Sequence, residues 1–264
     1  MEFETLVERL KTSPLVDGLM LMGSTGHPTQ NPHSDRDLLV VLTERPLSVA
    51  NGTAFCDGVL VDLVITTQQD IRTLAHAEPG SISLSDPRST YINWMPHGTI
   101  VLDRCGRLEN LREKIVRGDI FASFGEGESI ARADKALYNL AQTERMLHNP
   151  DDVYQQAIDL RMVYQLADLM VDYFLVRGMP WTGEKDAIRC WQTSDPDYFD
   201  LFTECCQATN KPERIRLYRQ LVAATMEPVG FTWDDGPMFS MSRQADMTPE
   251  NLDAARAFWQ LLLA

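Results

Sequence analysis

The chain has 264 residues, 44% of them hydrophobic, and a formal net charge of −14 from 38 acids against 24 Lys and Arg. That length allows one large or two ordinary domains with a sizeable core. The acidic balance argues against a duplex nucleic-acid partner, because neutralising phosphates takes basic patches and none is visible. It is compatible with a cationic small molecule drawn toward an acidic cleft.

No apolar run approaches the roughly 18 residues a membrane span needs. The opening MEFETLVERLKTS is charged throughout, unlike a secretory signal. Five cysteines, at 56, 105, 190, 205 and 206, include no C-x-x-C pair. An odd, scattered set fits reduced thiols, so a cytoplasmic location without membrane contact is expected.

In chain order, Phe3, Leu6, Val7 and Leu10 recur at helical spacing and predict a helix over 3–12, closed by Ser13-Pro14. Leu19–Met22 is a short apolar run ending at Gly23-Ser24. A loop rich in Gly, Pro, Thr, Asn and His follows, then Asp35-Arg36-Asp37 opens a second run, Leu38–Leu42. After a polar interval comes Val59–Ile65, with Asp62 in its middle. Such runs, bounded by turn formers, read as buried strands of a parallel or mixed sheet. Thr67–Ala77 reads as a helix, 81–88 as a loop, Tyr91–Met95 and Thr99–Leu102 as strand fragments, and Leu108–Arg117 as a helix.

Beyond that point the apolar spacing is helical. Helices are expected around 130–147, over 153–177 and 186–191, and at Tyr198–Ala208, Pro212–Met226 and Pro249–Leu263. An irregular loop is expected at 228–247. Short joints between successive helices read as a bundle. The predicted class is α+β: an α/β domain with a mixed sheet at 1–105, then a helical domain at 106–264.

The chemistry concentrates in the first half. Asp35 and Asp37 lie two apart at a strand start, so the strand period puts both on one face while Arg36 points the other way. Asp62 interrupts an apolar run, where an unpaired carboxylate is costly to bury. If its strand lies beside that of Asp37, the three carboxylates converge, and a hard cation, with Mg²⁺ the usual one, relieves their repulsion. Gly23 lets backbone approach a ligand, and Ser24 offers a hydroxyl and an N–H to phosphate oxygens.

Gly23-Ser24, the eleven-residue step to Asp35, the Asp35-Arg36-Asp37 element and Val61-Asp62-Leu63 together resemble the DNA polymerase β-type nucleotidyltransferase superfamily. The α/β-then-helical plan is similar to aminoglycoside nucleotidyltransferases of the kanamycin and streptomycin/spectinomycin types. Gly183-Glu184-Lys185-Asp186 with Trp191 resembles a Lys-Asp…Trp element of the second group. The resemblance implies transfer of a nucleoside monophosphate, AMP from ATP, to an acceptor hydroxyl. It implies two Mg²⁺ ions on Asp35, Asp37 and Asp62, and triphosphate contacts from Gly23, Ser24 and Lys185. A small cationic acceptor such as an aminoglycoside, with antibiotic resistance as the role, is the first expectation. AMP transfer to a protein, or nucleotide transfer to an RNA end, in a regulatory or toxin–antitoxin role is the alternative. Asp86, Glu126 and Glu128 are candidate general bases. Asp234-Asp235 with Trp233 is a candidate acceptor wall, and loop solvation is the default for His27 and His33.

Overall fold

The computed structural model describes residues 1–23, 34–44, 49–230 and Leu261. The described chain forms two compact units, one over Met1–Ile82 with Asp86–Ala122, the other over Ser83–Ser85 with residues 123–230. A domain boundary after residue 105 is expected from the sequence. In the structure the helix at 107–117 packs within the first unit.

In the first unit, α1 (Phe3–Thr12) leads into β1 (Val16–Met22). β2 (Arg36–Leu42), β3 (Asn51–Cys56) and β4 (Val59–Thr67) complete most of the sheet. α2 (Gln68–Ala75) is capped by Thr67, whose side chain accepts from the Asp70 N–H at 3.1 Å while Asp70 accepts from the Thr67 N–H. This reciprocal capping box satisfies two orphan donors of the first turn. β5 (Ile82–Ser83), α3 (Ser89–Trp94), β6 (Thr99–Asp103), α4 (Arg107–Arg117) and β7 (Ala122–Ser123) follow.

The five-stranded sheet runs β3-β4-β2-β1-β6, and β5 pairs with β7 separately. Within the large sheet β2–β4 is parallel, and β1–β2, β1–β6 and β3–β4 are antiparallel, so the sheet is mixed as expected.

Strand alternation divides the apolar residues between two layers. Leu38, Val40 and Leu42 pack with Leu19, Leu63 and Ile65 against Phe3, Leu6 and Leu10 of α1. Leu39 and Val41 pack with Met20 and Met22 against Ile71 and Leu74 of α2 and Leu108, Leu111 and Ile115 of α4.

Two expectations are corrected. The polar interval before Val59 contains β3, an edge strand joined to β4 through Asp57-Gly58. Both turn residues have positive φ, 55° and 76°, the conformation that suits a two-residue hairpin. The fragment Tyr91–Met95 is helical, not extended. Its Tyr91, Ile92 and Met95 bury one side into the α2/α4 layer, so packing overrides the strand preference of Tyr and Ile.

The second unit is a helical bundle of α5 (Glu126–Leu147), α6 (Asp152–Leu175), α7 (Glu184–Ser194), α8 (Pro196–Gln207) and α9 (Lys211–Met226). Its core is rich in aromatics: Trp191 meets the Tyr173 and Phe202 rings at centroid distances of 5.7 and 5.1 Å. A buried polar bridge ties α5 to α6. The Gln165 amide donates to the Thr143 hydroxyl at 3.0 Å and to the Asn139 carbonyl at 3.2 Å. The helix expected at 249–263, and the loop expected at 228–247 from residue 231 onward, lie outside the described residues apart from Leu261.

Candidate active site

The carboxylates are placed by strand register. β2 and β4 run parallel with Asp37 opposite Asp62, so both side chains leave the same face of the sheet at neighbouring positions. That face also carries Leu39, Val41 and Val64, the side covered further along by α2 and α4. Asp37 and Asp62 are each half-buried. Asp35 immediately precedes β2. Continuing the register by one residue sets it level with Leu60, on the same face as Asp37.

Arg36 confirms the alternation from behind. Its guanidinium lies over the Phe3 ring, 4.3 Å from the centroid, within the opposite layer. One of its terminal nitrogens is buried without a hydrogen-bond partner. The cation–π contact holds that side chain to α1, fixing the pleat that turns its two acidic neighbours outward.

Gly23 closes the site from the β1 side. Met22 is opposite Asp37 in the antiparallel β1–β2 pair, and Gly23 comes next at φ +60°. A Cβ there would lie 2.1 Å from Asp37 Oδ2. The missing side chain is therefore the space the Asp37 carboxylate fills, and the left-handed backbone is one that glycine adopts without penalty.

The chemistry of this donor set, carboxylate oxygens only, suits a hard divalent cation. Among the described residues, no three His, Cys, Asp or Glu side chains are gathered closely enough to hold a metal ion. The register thus supplies a pair of carboxylates with a third on the same face, and not a closed ligand shell.

The other residues singled out from sequence fall in different places. Lys185 is exposed, the second residue of α7 in the helical unit. Ser24, His27, His33 and Trp233-Asp234-Asp235 lie outside the described residues. Asp86 accepts a fork from Arg88, with Nε at 3.0 Å and Nη2 at 2.6 Å, and stabilises the turn into α3. Glu128 accepts from the Ser83 hydroxyl at 2.6 Å and the Gly125 N–H at 3.0 Å, closing the first turn of α5. Both carboxylates have structural duties that occupy their oxygens, which weakens each as a general base. Glu126 is exposed in that same first turn.

Two β3 residues, Thr53 and Phe55, join the candidate site although no sequence motif marks them. Thr53 is opposite Asp62 and Phe55 opposite Leu60, on the face that carries the carboxylates. The signal that could have found them is Asp57-Gly58, a dipeptide that favours a hairpin between two strand-like runs.

Among the described residues no helix is long and apolar enough to cross a membrane. No family model matches the chain, and no curated protein matches it. Among solved structures it is similar to a nucleotidyltransferase-like protein from Exiguobacterium sibiricum. That similarity has a TM-score of 0.47 and 15% identity, and covers 85% of this chain and 73% of the other.

Proposed function

We propose that the chain is a nucleotidyltransferase that moves AMP from ATP onto a hydroxyl of a small cationic acceptor of the aminoglycoside kind, inactivating an antibiotic. The observation that carries the reading is the Asp37–Asp62 pair, in register on adjacent parallel strands, with the Asp37 carboxylate seated where a Gly23 side chain would be. Two like charges opposite one another destabilise a sheet. A divalent cation bound between them would offset that repulsion.

Asp35, Asp37 and Asp62 would hold Mg²⁺, as two ions. When bound, the metal supplies charge neutralisation at the phosphoryl oxygens and lowers the pKa of the acceptor hydroxyl. The chain's own residues position the reactants. Gly23 gives the triphosphate close access to backbone at the β1 end, with Ser24 next to it in sequence. Asp62, on the far side of Asp37 from Gly23, faces the acceptor. Lys185 is assigned to the triphosphate on the resemblance of its motif. The acceptor oxygen forms a bond to the α-phosphorus as the bond to the bridging oxygen breaks. Pyrophosphate leaves with that electron pair, and the hydroxyl proton is lost to solvent. Such transfers are accelerated mainly by positioning and electrostatics.

The test is to incubate purified protein with ATP, Mg²⁺ and a panel of aminoglycosides, following pyrophosphate release and adduct mass. Adenylylated antibiotic, lost in Asp37→Asn, is the expected result. Labelling of a protein or an RNA with none of the panel modified would refute the acceptor and leave the chemistry. Absence of any nucleotidyl transfer would refute both.

A further inference from the structure

We infer that Phe55 forms the acceptor side of this site, as a stacking surface for a ring-shaped, hydroxyl-bearing acceptor; the inference rests on the nucleotidyl-transfer reading above. Phe55 is 73% exposed, the most exposed of the large apolar residues in the first unit's sheet. β3 is an edge strand, and its neighbours Ala54 and Cys56 turn into the α1 layer. Alternation therefore puts Asn51, Thr53 and Phe55 on the opposite face, the one that carries Asp37 and Asp62.

The registers give the layout across the sheet. Thr53, Asp62 and Asp37 form one row, with Met22 beyond and Gly23 next along β1. Phe55 and Leu60 form the next row, which the β2 register extends to Asp35. Phe55 is thus two strand spacings from Asp35, about 10 Å between backbones. α2 begins after Thr67, at the end of β4 away from Leu60.

This order assigns the reactants to sides. The phosphates approach from Gly23, on the β1 flank, and the carboxylates occupy the middle. The ring of Phe55 and the hydroxyl of Thr53 then face whatever arrives from the other flank, which is the acceptor. A phenyl face takes the apolar face of a sugar or cyclitol ring and attracts an ammonium group placed over it. An acceptor about one sugar ring across would reach from the phenyl to a reacting hydroxyl beside Asp62.

The experiment compares wild type with Phe55→Ala and Phe55→Tyr, using kanamycin, streptomycin, spectinomycin and neutral methyl glucoside as acceptors. The exposed edge position leaves the fold intact, checked by thermal melting. The expected result is a five- to twenty-fold rise in acceptor KM for Phe55→Ala, near-wild-type KM for Phe55→Tyr, and an unchanged KM for ATP in both. A raised ATP KM with an unchanged acceptor KM would put the ring on the nucleotide and overturn the assignment. So would unchanged values for both substrates. Calorimetry with MgATP separates nucleotide binding from acceptor choice. Wild type that binds MgATP and modifies no panel member overturns the ring-acceptor assignment and leaves nucleotidyl transfer standing; wild type that neither binds MgATP nor releases pyrophosphate overturns the underlying reading with it.

Discussion

Replacing Gly23 by alanine should separate the site from the fold. The new Cβ would lie 2.1 Å from Asp37 Oδ2, 0.9 Å inside the 3.0 Å limit that real side chains respect. Two costs follow. Holding an L-residue at φ +60° costs about 1–2 kcal/mol. The clash is relieved by rotating a carboxylate rather than moving backbone, which adds little to unfolding but displaces the Asp37 oxygens by roughly 1 Å. A displacement of that size in a positioned group is worth about 100-fold in rate. Urea unfolding of Gly23→Ala should therefore show a loss of about 1–2 kcal/mol, with nucleotidyl transfer down about 100-fold. Gly18→Ala is the control: its Cβ would meet the flexible end of Leu108 at 2.7 Å, within the α4 layer. It should cost stability and spare the rate. Wild-type turnover in Gly23→Ala would refute the claim that this glycine keeps space for a working carboxylate.

Asp37→Asn and Asp62→Asn should each abolish transfer while leaving the melting temperature unchanged or slightly raised, since each relieves a like-charge pair across β2 and β4; a melting temperature lowered by many degrees would make these carboxylates structural. Arg132→Met should cost about 2–3 kcal/mol in urea unfolding, somewhat under the figure for a fully buried pair, because Asp172 is buried while Arg132 is a third exposed. Burial raises the Asp172 carboxyl above its ordinary 3.8, with Arg132 pulling it down. A carboxyl raised by folding favours the native state at low pH, and that advantage is lost as pH rises through its folded value. Removing Arg132 raises it further, so the deficit of Arg132→Met should be largest at neutral pH and narrow on acidification; a deficit independent of pH would contradict the pairing. Lys185→Ala should weaken ATP use more than acceptor use, by about 1–3 kcal/mol if a charge-assisted triphosphate contact in a partly buried cleft is lost, and an unchanged KM for ATP would return Lys185 to the role of a surface charge.

Much of the sheet could be read from sequence because its central strands are continuous apolar runs. β1, β2 and β4 each extend the run expected for them, and α1 spans Phe3–Thr12 as its spacing predicts. β3 escaped because an edge strand is half solvated. Asn51, Gly52 and Thr53 carry no apolar signal, and pairing with β4 makes the strand. For the site, the period of two placed Asp35 and Asp37 on one face, and the apolar run around Asp62 marked it as a strand residue. That Asp62 stands opposite Asp37 was not legible, since register between strands depends on non-local packing. Asp86 and Glu128 are candidate general bases on sequence alone. Their partners are Arg88 and the Gly125 N–H, set by turn geometry, and the Ser83 hydroxyl, 45 residues from Glu128 in the chain; composition reveals none of them.

The Asp57-Gly58 hairpin divides the sheet into parts that can change at different rates. Asp37 and Asp62 are fixed to each other by the β2–β4 ladder, in which β3 takes no part. β3 is attached to β4 along one edge, and its alignment follows from a two-residue turn. An inserted residue in that turn would slide Asn51, Thr53 and Phe55 past β4 and exchange the outward set for Gly52, Ala54 and Cys56, while the carboxylate pair stayed in place. Mutation at the edge can thus explore new surfaces beside the carboxylates without dismantling them, and a lineage built on this sheet could diversify there first.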